Sequence, residues 1–491
     1  MYEVFPIHFI DQAAIVRDSI ISYTFRYSHV LEAQKLRDSL AILLASSGWR
    51  KLGGRLRRNR DRKLEIQVPR VFSDDRPPFR FSHVVFDVDM DAHPLGSRLP
   101  KATGNKPSVH DGCDTFRQFS IPSALHNNVN HYLSTDEPLI CLHITSFTDG
   151  TLVSLTFPHL LSDAMGFASL LEAWSSVLRA QNTTALEVQI EGASKDVTAS
   201  VGTTEDKVAQ DTRFVLEDQQ TTGLSLLYFI VRYLWDVLTH RNIRTHHIYL
   251  PARFLRHLRD EAEAEFKRDH RVEGPTAPFV SDGDLITAWG SRMVLSSAPP
   301  KGSAVICNIF DLRSRLRHLK PSSTSRAAAY LQNLILPSVT LLTASEAQNI
   351  NVSQIALRVR SAIEEQTSDA QVRGLMRLAR TWFASLGMMP LFARWDTTRI
   401  IACTNWTKAR LLDKADFGLA TAVAYENIPA SQALPVAYWG TTLAVHDNPR
   451  DVFVIYGKDH QGDYWVHAYL RQETWDRIVS EFHQYETKPL S

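Results

Sequence analysis

The sequence predicts a two-lobed α/β protein, and three observations predict it. The chain has 491 residues, 44% hydrophobic and 22% charged, an ordinary globular profile that allows two to four domains and a sizeable core. Strand-like and helix-like runs alternate through residues 1–181 and again through 246–491. Between them, 182–223 is dense in Thr, Asp, Glu, Gln, Ser and Ala and almost free of aromatics. That composition belongs to a long surface crossover or a partly disordered linker, so 182–245 is read as the connection.

In the first unit, 20–27 and 64–68 read as strands. Residues 33–45 read as an amphipathic helix with Leu36, Leu40, Leu43 and Leu44 on one stripe. Two apolar runs, 139–147 and 151–157, meet at Thr148-Asp149-Gly150, and Asp-Gly between such runs is a hairpin signal. Helical spacing follows from Phe167 through Leu170, Leu171 and Trp174 to Leu178. In the second unit the spacing predicts helices over 284–295, 352–365 and 473–482. Strands are expected over 304–310, 400–404, 452–456 and 464–470. The apolar run 224–238 contains Arg232 and Asp236 and is too short to span a bilayer. Its aromatics and the trailing Arg241 and Arg244 could suit a membrane surface, but it is read as a helix packed on the protein's own core.

Charge and motifs exclude several functions. Lys+Arg 54 against Asp+Glu 53 leaves no field to gather nucleic acid. The four cysteines, Cys113, Cys141, Cys307 and Cys403, are far apart and form no C-x-x-C, which points away from a zinc site or disulfide framework. The first residues lack the basic start and apolar core of a signal peptide. A reduced, cytoplasmic chain without a transmembrane segment is expected. G-x-G-x-x-G, Walker A, G-x-S-x-G and H-E-x-x-H are all absent.

The most informative stretch is Pro158-His159-Leu160-Leu161-Ser162-Asp163. It sets a histidine where a strand hands over to a helix, a place from which a general base can project into a cleft. The aspartate one turn later can fix the local backbone or pair with a distant arginine. Downstream come Asp311-Leu312-Arg313, Tyr330-Leu331-Gln332-Asn333, Thr404-Asn405-Trp406 and Asp416-Phe417-Gly418. Taken singly, each is an ordinary turn, surface pair or core aromatic.

In this order the segments resemble the BAHD acyltransferase family. The likeness extends to Gly53-Gly54-Arg55-Leu56 with the strand after it. It also takes in Ser281-Asp282-Gly283-Asp284, similar to a helix start in fungal members. The resemblance implies two lobes like chloramphenicol acetyltransferase, each a mixed sheet with helices, and a channel between them. An acyl-CoA, acetyl-CoA by family frequency, enters as co-substrate from one side and a small hydroxylated acceptor from the other. It implies His159 as general base, no covalent acyl-enzyme, no metal and no permanently bound cofactor. Asp163 is expected to pair with Arg313 and hold the loop in shape. Thr404 and Trp406 match positions lining the pocket, with Thr404 a candidate oxyanion donor. Asp416 serves architecture near the CoA entrance in the family and is often counted beside the histidine, so it is carried as the second catalytic candidate. A monomer is expected.

Three positions depart from the family pattern. Ala164 replaces a glycine after the motif aspartate, Gln332 replaces another before Asn333, and Leu419-Ala420 follow Asp-Phe-Gly where Trp-Gly is usual. An alanine is tolerable at 164 unless the backbone there needs a positive φ. N-acylation of an amine and a non-catalytic, small-molecule-binding relic of the fold stay open beside O-acylation. A peptide-synthetase condensation domain usually carries two adjacent histidines, whereas position 158 is proline.

Overall fold

The computed structural model describes residues 2–123, 128–180, 189–268, 278–298, 301–320, 328–422, 434–442 and 449–487. Two sheets dominate it. The first has five strands in the order Ala437–Thr442, Ile20–Tyr27, Thr151–Pro158, Cys141–Ser146, Arg80–Val85. The hairpin read at Asp149-Gly150 forms, with Ser146 opposite Thr151 and Phe147 N–H donating to Gly150 O at 2.8 Å. Every residue of Thr151–Pro158 is buried, as expected of a central strand covered on both faces.

The second sheet has seven strands, in the order Ile335–Leu342, Ala304–Asp311, Arg399–Asn405, Val452–Lys458, Tyr464–Arg471, Ile243–Leu250, Ser108–Asp111. Its Ala304–Asp311, Arg399–Asn405 and Val452–Lys458 run parallel, and the remaining pairs are antiparallel. A three-stranded ribbon of Tyr2–Pro6, Leu64–Pro69 and Arg55–Arg58 and a short parallel pair, Gln189–Glu191 with Ala328–Tyr330, complete the sheets.

Local chemistry accounts for the helices. Ala33–Ala45 forms as the leucine stripe requires, and Leu36, Leu40, Leu43 and Leu44 are fully buried. Asp282–Ser297 begins with a capping box in which Ser281 and Asp284 satisfy each other's backbone N–H groups. The helices expected over 352–365 and 473–482 are Val352–Gln366 and Gln472–Thr487.

Where described, residues 189–222 form an ordered crossover and not a disordered linker. Val201, Ala209 and Phe214 are buried, and Lys207–Asp211 lies on the helix Asp369–Leu386. The run at 224–238 is a helix, Gly223–Thr239, but none of its residues is buried. Its spacing announced one apolar face without saying which way that face turns, and it turns outward.

The lobes also exchange strands. Ser108–Asp111, from the N-terminal part of the chain, pairs with Ile243–Leu250 in the second sheet. Ala437–Thr442, from the C-terminal part, pairs with Ile20–Tyr27 in the first. Boundaries at 181 and 246 therefore do not separate the two sheets.

Candidate active site

His159 sits where the first sheet's central strand ends. Pro158 pairs opposite Ile20, and the His159 N–H donates to Ser19 O at 2.8 Å. A short 3-10 turn, His159–Leu161, follows, with Leu160 and Leu161 buried as its anchors. The imidazole Nδ1 is buried and has no hydrogen-bond partner among the described residues, while the residue as a whole keeps intermediate exposure. Burial pushes the ring's pKa below its ordinary value, against weaker upward pulls from the adjoining backbone and the Asp163 charge. The neutral form, the one able to accept a proton, is therefore favoured at neutral pH.

The Asp163 carboxylate is engaged by an arginine and by backbone N–H groups. It accepts Arg313 Nη1 at 2.9 Å and Nη2 at 3.0 Å, a bidentate pair. It also caps the helix Ala164–Ala180, accepting Met165 N–H at 3.1 Å and Gly166 N–H at 2.9 Å. A further bond from Leu334 N–H at 2.8 Å ties in the second lobe. Burial alone would raise the Asp163 pKa, but Arg313 and these donors outweigh it and hold the carboxyl below the usual range. Arg313 in turn donates to Asp311 at 2.7 Å and to the carbonyls of Tyr330 and Gln332, each at 3.2 Å.

Two of the three departures have visible accommodations. Ala164 is not among the residues of positive φ, so its Cβ costs nothing. Gln332 is buried and stitches in the crossover, donating to Asp196 at 2.9 Å and accepting from Val197 N–H at 2.9 Å. Gly166 is a true requirement, because a Cβ there would stand 2.1 Å from Ser162 Oγ and 2.7 Å from Tyr330 O.

Asn333 and Asp11 are partners whose role the sequence did not disclose. Asn333 Nδ2 donates to His159 O at 2.9 Å and to Asp11 Oδ1 at 2.8 Å. Asp11 is fully buried, and burial raises its pKa to about 6 despite nearby Lys51. The Tyr-x-x-Asn segment could have flagged Asn333. Nothing local flags Asp11, which lies 322 residues from it.

Trp406 reaches across to the first lobe. Its ring centroid lies 5.3 Å from Tyr23 and 5.5 Å from Tyr456, and Tyr23 stacks on Phe167 at 4.1 Å, just past the histidine loop. Tyr456 also lines a cleft where the two sheets meet, with His247, Tyr438, Trp439 and Trp465. Thr404 stands on Arg399–Asn405, paired with Ile309 on one side and Val454 on the other, and is partly exposed.

The structure leaves Asp416 apart from this group. It accepts Arg179 Nη1 at 3.1 Å, and Arg179 lies at the far end of the helix that Asp163 caps, about 22 Å along its axis. Phe417 beside it packs on Trp174 and Tyr27, at 4.3 and 5.8 Å between ring centroids. Among the described residues, no group of three or more His, Cys, Asp or Glu is placed to hold a metal ion.

Known proteins resemble this chain in sequence and fold. The Transferase family model matches residues 114–426. The acetyltransferase BOT5 of Botryotinia fuckeliana is 55% identical over 500 residues, covering 98% of this chain and 90% of that protein. The O-acetyltransferase PaAT-2 of Phomopsis amygdali is 34% identical, covering 97% of each chain. A crystal structure of TRI101 from F. graminearum, complexed with coenzyme A and T-2 mycotoxin, shares the fold. Its TM-score is 0.65 at 15% identity, over 99% of this chain and 98% of that one. With a histidine and an arginine-braced aspartate at the seam of two sheets and relatives along its whole length, this chain belongs to the Transferase family, the BAHD acyltransferases.

Proposed function

We propose that the protein transfers an acetyl group from acetyl-CoA to a hydroxyl of a small specialised metabolite, with His159 as general base. The observation that carries this reading is a histidine kept neutral by burial at a strand end, its loop held from both lobes through Asp163, Arg313 and Asn333. The names of BOT5 and PaAT-2 support acetyl as the group and a hydroxyl as its acceptor. The coenzyme A in the TRI101 complex supports the donor.

In the reaction, His159 takes the acceptor's hydroxyl proton as its oxygen bonds to the thioester carbonyl carbon, giving a tetrahedral oxyanion. Thr404 is the proposed donor to that oxyanion, and Trp406 a wall of the pocket. Collapse breaks the C–S bond, and the imidazolium returns its proton to the CoA thiolate, so His159 ends neutral and no acyl-enzyme forms. Asp163 and Arg313 position the loop. Asp416, bound to Arg179 and next to a buried Phe417, is assigned an architectural role. Four free cysteines support a reducing compartment, and we read the enzyme as a cytoplasmic monomer.

The test is thiol release from acetyl-CoA in the presence of a panel of alcohols and amines. Wild type should turn over an alcohol, and His159→Ala should lose about 10²- to 10⁴-fold of that rate. Equal rates for the two proteins across every acceptor would end the general-base reading, and turnover of amines alone would replace the hydroxyl acceptor.

A further inference from the structure

We infer that the helix Gly223–Thr239 docks this protein on the surface of a lipid bilayer bearing anionic headgroups. Its 17 residues include none that is buried. Leu224, Leu227, Val231, Leu234, Trp235 and Leu238 recur at helical spacing along one stripe, and all are exposed, Leu224 by 85% and Trp235 by 68%. A surface helix ordinarily turns such a stripe to the core; here it faces water.

The roll of the helix is fixed. On the inward side, Asp236 accepts Arg450 Nη1 at 2.8 Å and Arg471 Nη2 at 2.9 Å, and Phe229 packs on the core. Before its first turn, Thr221 Oγ1 donates to Ala393 O at 2.6 Å and accepts Ala393 N–H at 2.8 Å. Both ends are thus pinned with the apolar face outward. One residue outside the helix widens that face: Trp395 is 60% exposed and its ring lies 6.3 Å from Tyr228.

Composition and charge select the occupant. The stripe carries no acidic side chain, and the helix's one acid, Asp236, is turned inward and paired. Past the C-terminal end, Arg241 and Arg244 are exposed. Leucines with aromatic residues, flanked by arginines, suit the boundary between headgroups and acyl chains. At ~25 Å long the helix is too short to cross a hydrocarbon core of about 30 Å, and no described helix is long and apolar enough to do so. A protein partner would have to present a surface shaped to match this stripe. A bilayer needs no matching shape; it accepts the stripe as it lies.

Flotation of the full chain with vesicles tests this without any acyl transfer, so it is read separately from the enzyme assay. The vesicles are phosphatidylcholine alone and phosphatidylcholine with phosphatidylserine. Wild type should float with both, more with phosphatidylserine, and salt should erase that difference. The double variant Leu227→Glu/Leu234→Glu should lower the bound fraction about tenfold or more while keeping its circular dichroism and Tm. If that variant unfolds, Trp235→Gln at its exposed position serves instead, with a smaller drop expected. Arg241→Ser/Arg244→Ser should lose only the phosphatidylserine increment. Wild type left in the vesicle-free fraction with both compositions overturns the inference. So does a dimer by light scattering that the double variant dissolves, since a second copy would then own the face.

Discussion

At the residue scale, the proton inventory of the site makes two predictions. His159, the proposed base, has its pKa lowered by burial, and only its neutral form can accept the acceptor's proton. The acid limb of kcat/KM against pH should therefore have its midpoint below the ordinary imidazole value of about 6.5, with a plateau through neutral pH. A midpoint at or above that value would contradict a desolvated base. Asp163 runs the other way. Its folded pKa is depressed, so its stabilisation is complete above the unfolded carboxyl value and fades as pH falls through the folded one. Asp163→Asn should cost about 3 kcal/mol at pH 7 by denaturant unfolding, because it leaves Arg313 buried with Asp311 as its one carboxylate partner. The gap to wild type should narrow below about pH 4. Activity should fall as the loop loosens, and the acid limb should move slightly to lower pH because the Asp163 charge no longer pulls the imidazole up; full stability with no activity would instead give Asp163 a chemical role. Taken singly, each reads as an ordinary turn or surface pair, but His159, Asp163 and Arg313 were legible through the order of segments that resembles the BAHD family. Asp11 was not. Its partner Asn333 lies 322 residues away along the chain, and no local pattern encodes a contact made through tertiary structure.

At the element scale, legibility followed periodicity and turn chemistry. The leucine stripe of Ala33–Ala45, the Asp-Gly hairpin and the run into Ala164–Ala180 each specify their element through local spacing, and each forms. Elements whose pattern is weaker went unread. Ser108–Asp111 is a four-residue edge strand with a polar face, and Ile335–Leu342 carries Pro337 within it, which argues locally against a strand. Gln332 looked like drift until the crossover came to lie against it. Its amide replaces, with two hydrogen bonds to Asp196 and Val197, whatever freedom a glycine would give. The helix Gly223–Thr239 marks the limit of such reading. Amphipathic spacing states that a helix has an apolar face, and Asp236 reads there as an interruption. In the fold that acid is the inward pin to Arg450 and Arg471, so the interruption is what turns the apolar face to solvent.

At the scale of the whole molecule, the two lobes are woven together as no boundary along the chain can show. Strand exchange means that each sheet is completed by a segment from the far half of the sequence. Aromatic packing follows the same crossing, since Phe25 stacks on Tyr438 at 5.6 Å and Tyr27 on Phe417 at 5.8 Å. The first lobe's core accordingly includes Leu411, Phe417 and Trp439. Residues 1–181 expressed alone would leave Ile20–Tyr27 as an unpaired edge and those aromatic faces bare to water, a state prone to aggregation. That fragment should show no cooperative melting by circular dichroism, while the intact chain should lose both lobes in one transition, with fluorescence and circular dichroism coincident. A fragment that melts cooperatively on its own would mean that the lobes are separate folding units. The placement of the site would then need another explanation, because His159 is held to Asn333, and Asp163 to Leu334, of the opposite lobe. A base fixed between two lobes stays aimed only while both are folded, so interweaving them gives the active-site loop the stability of the whole protein and not that of one sheet.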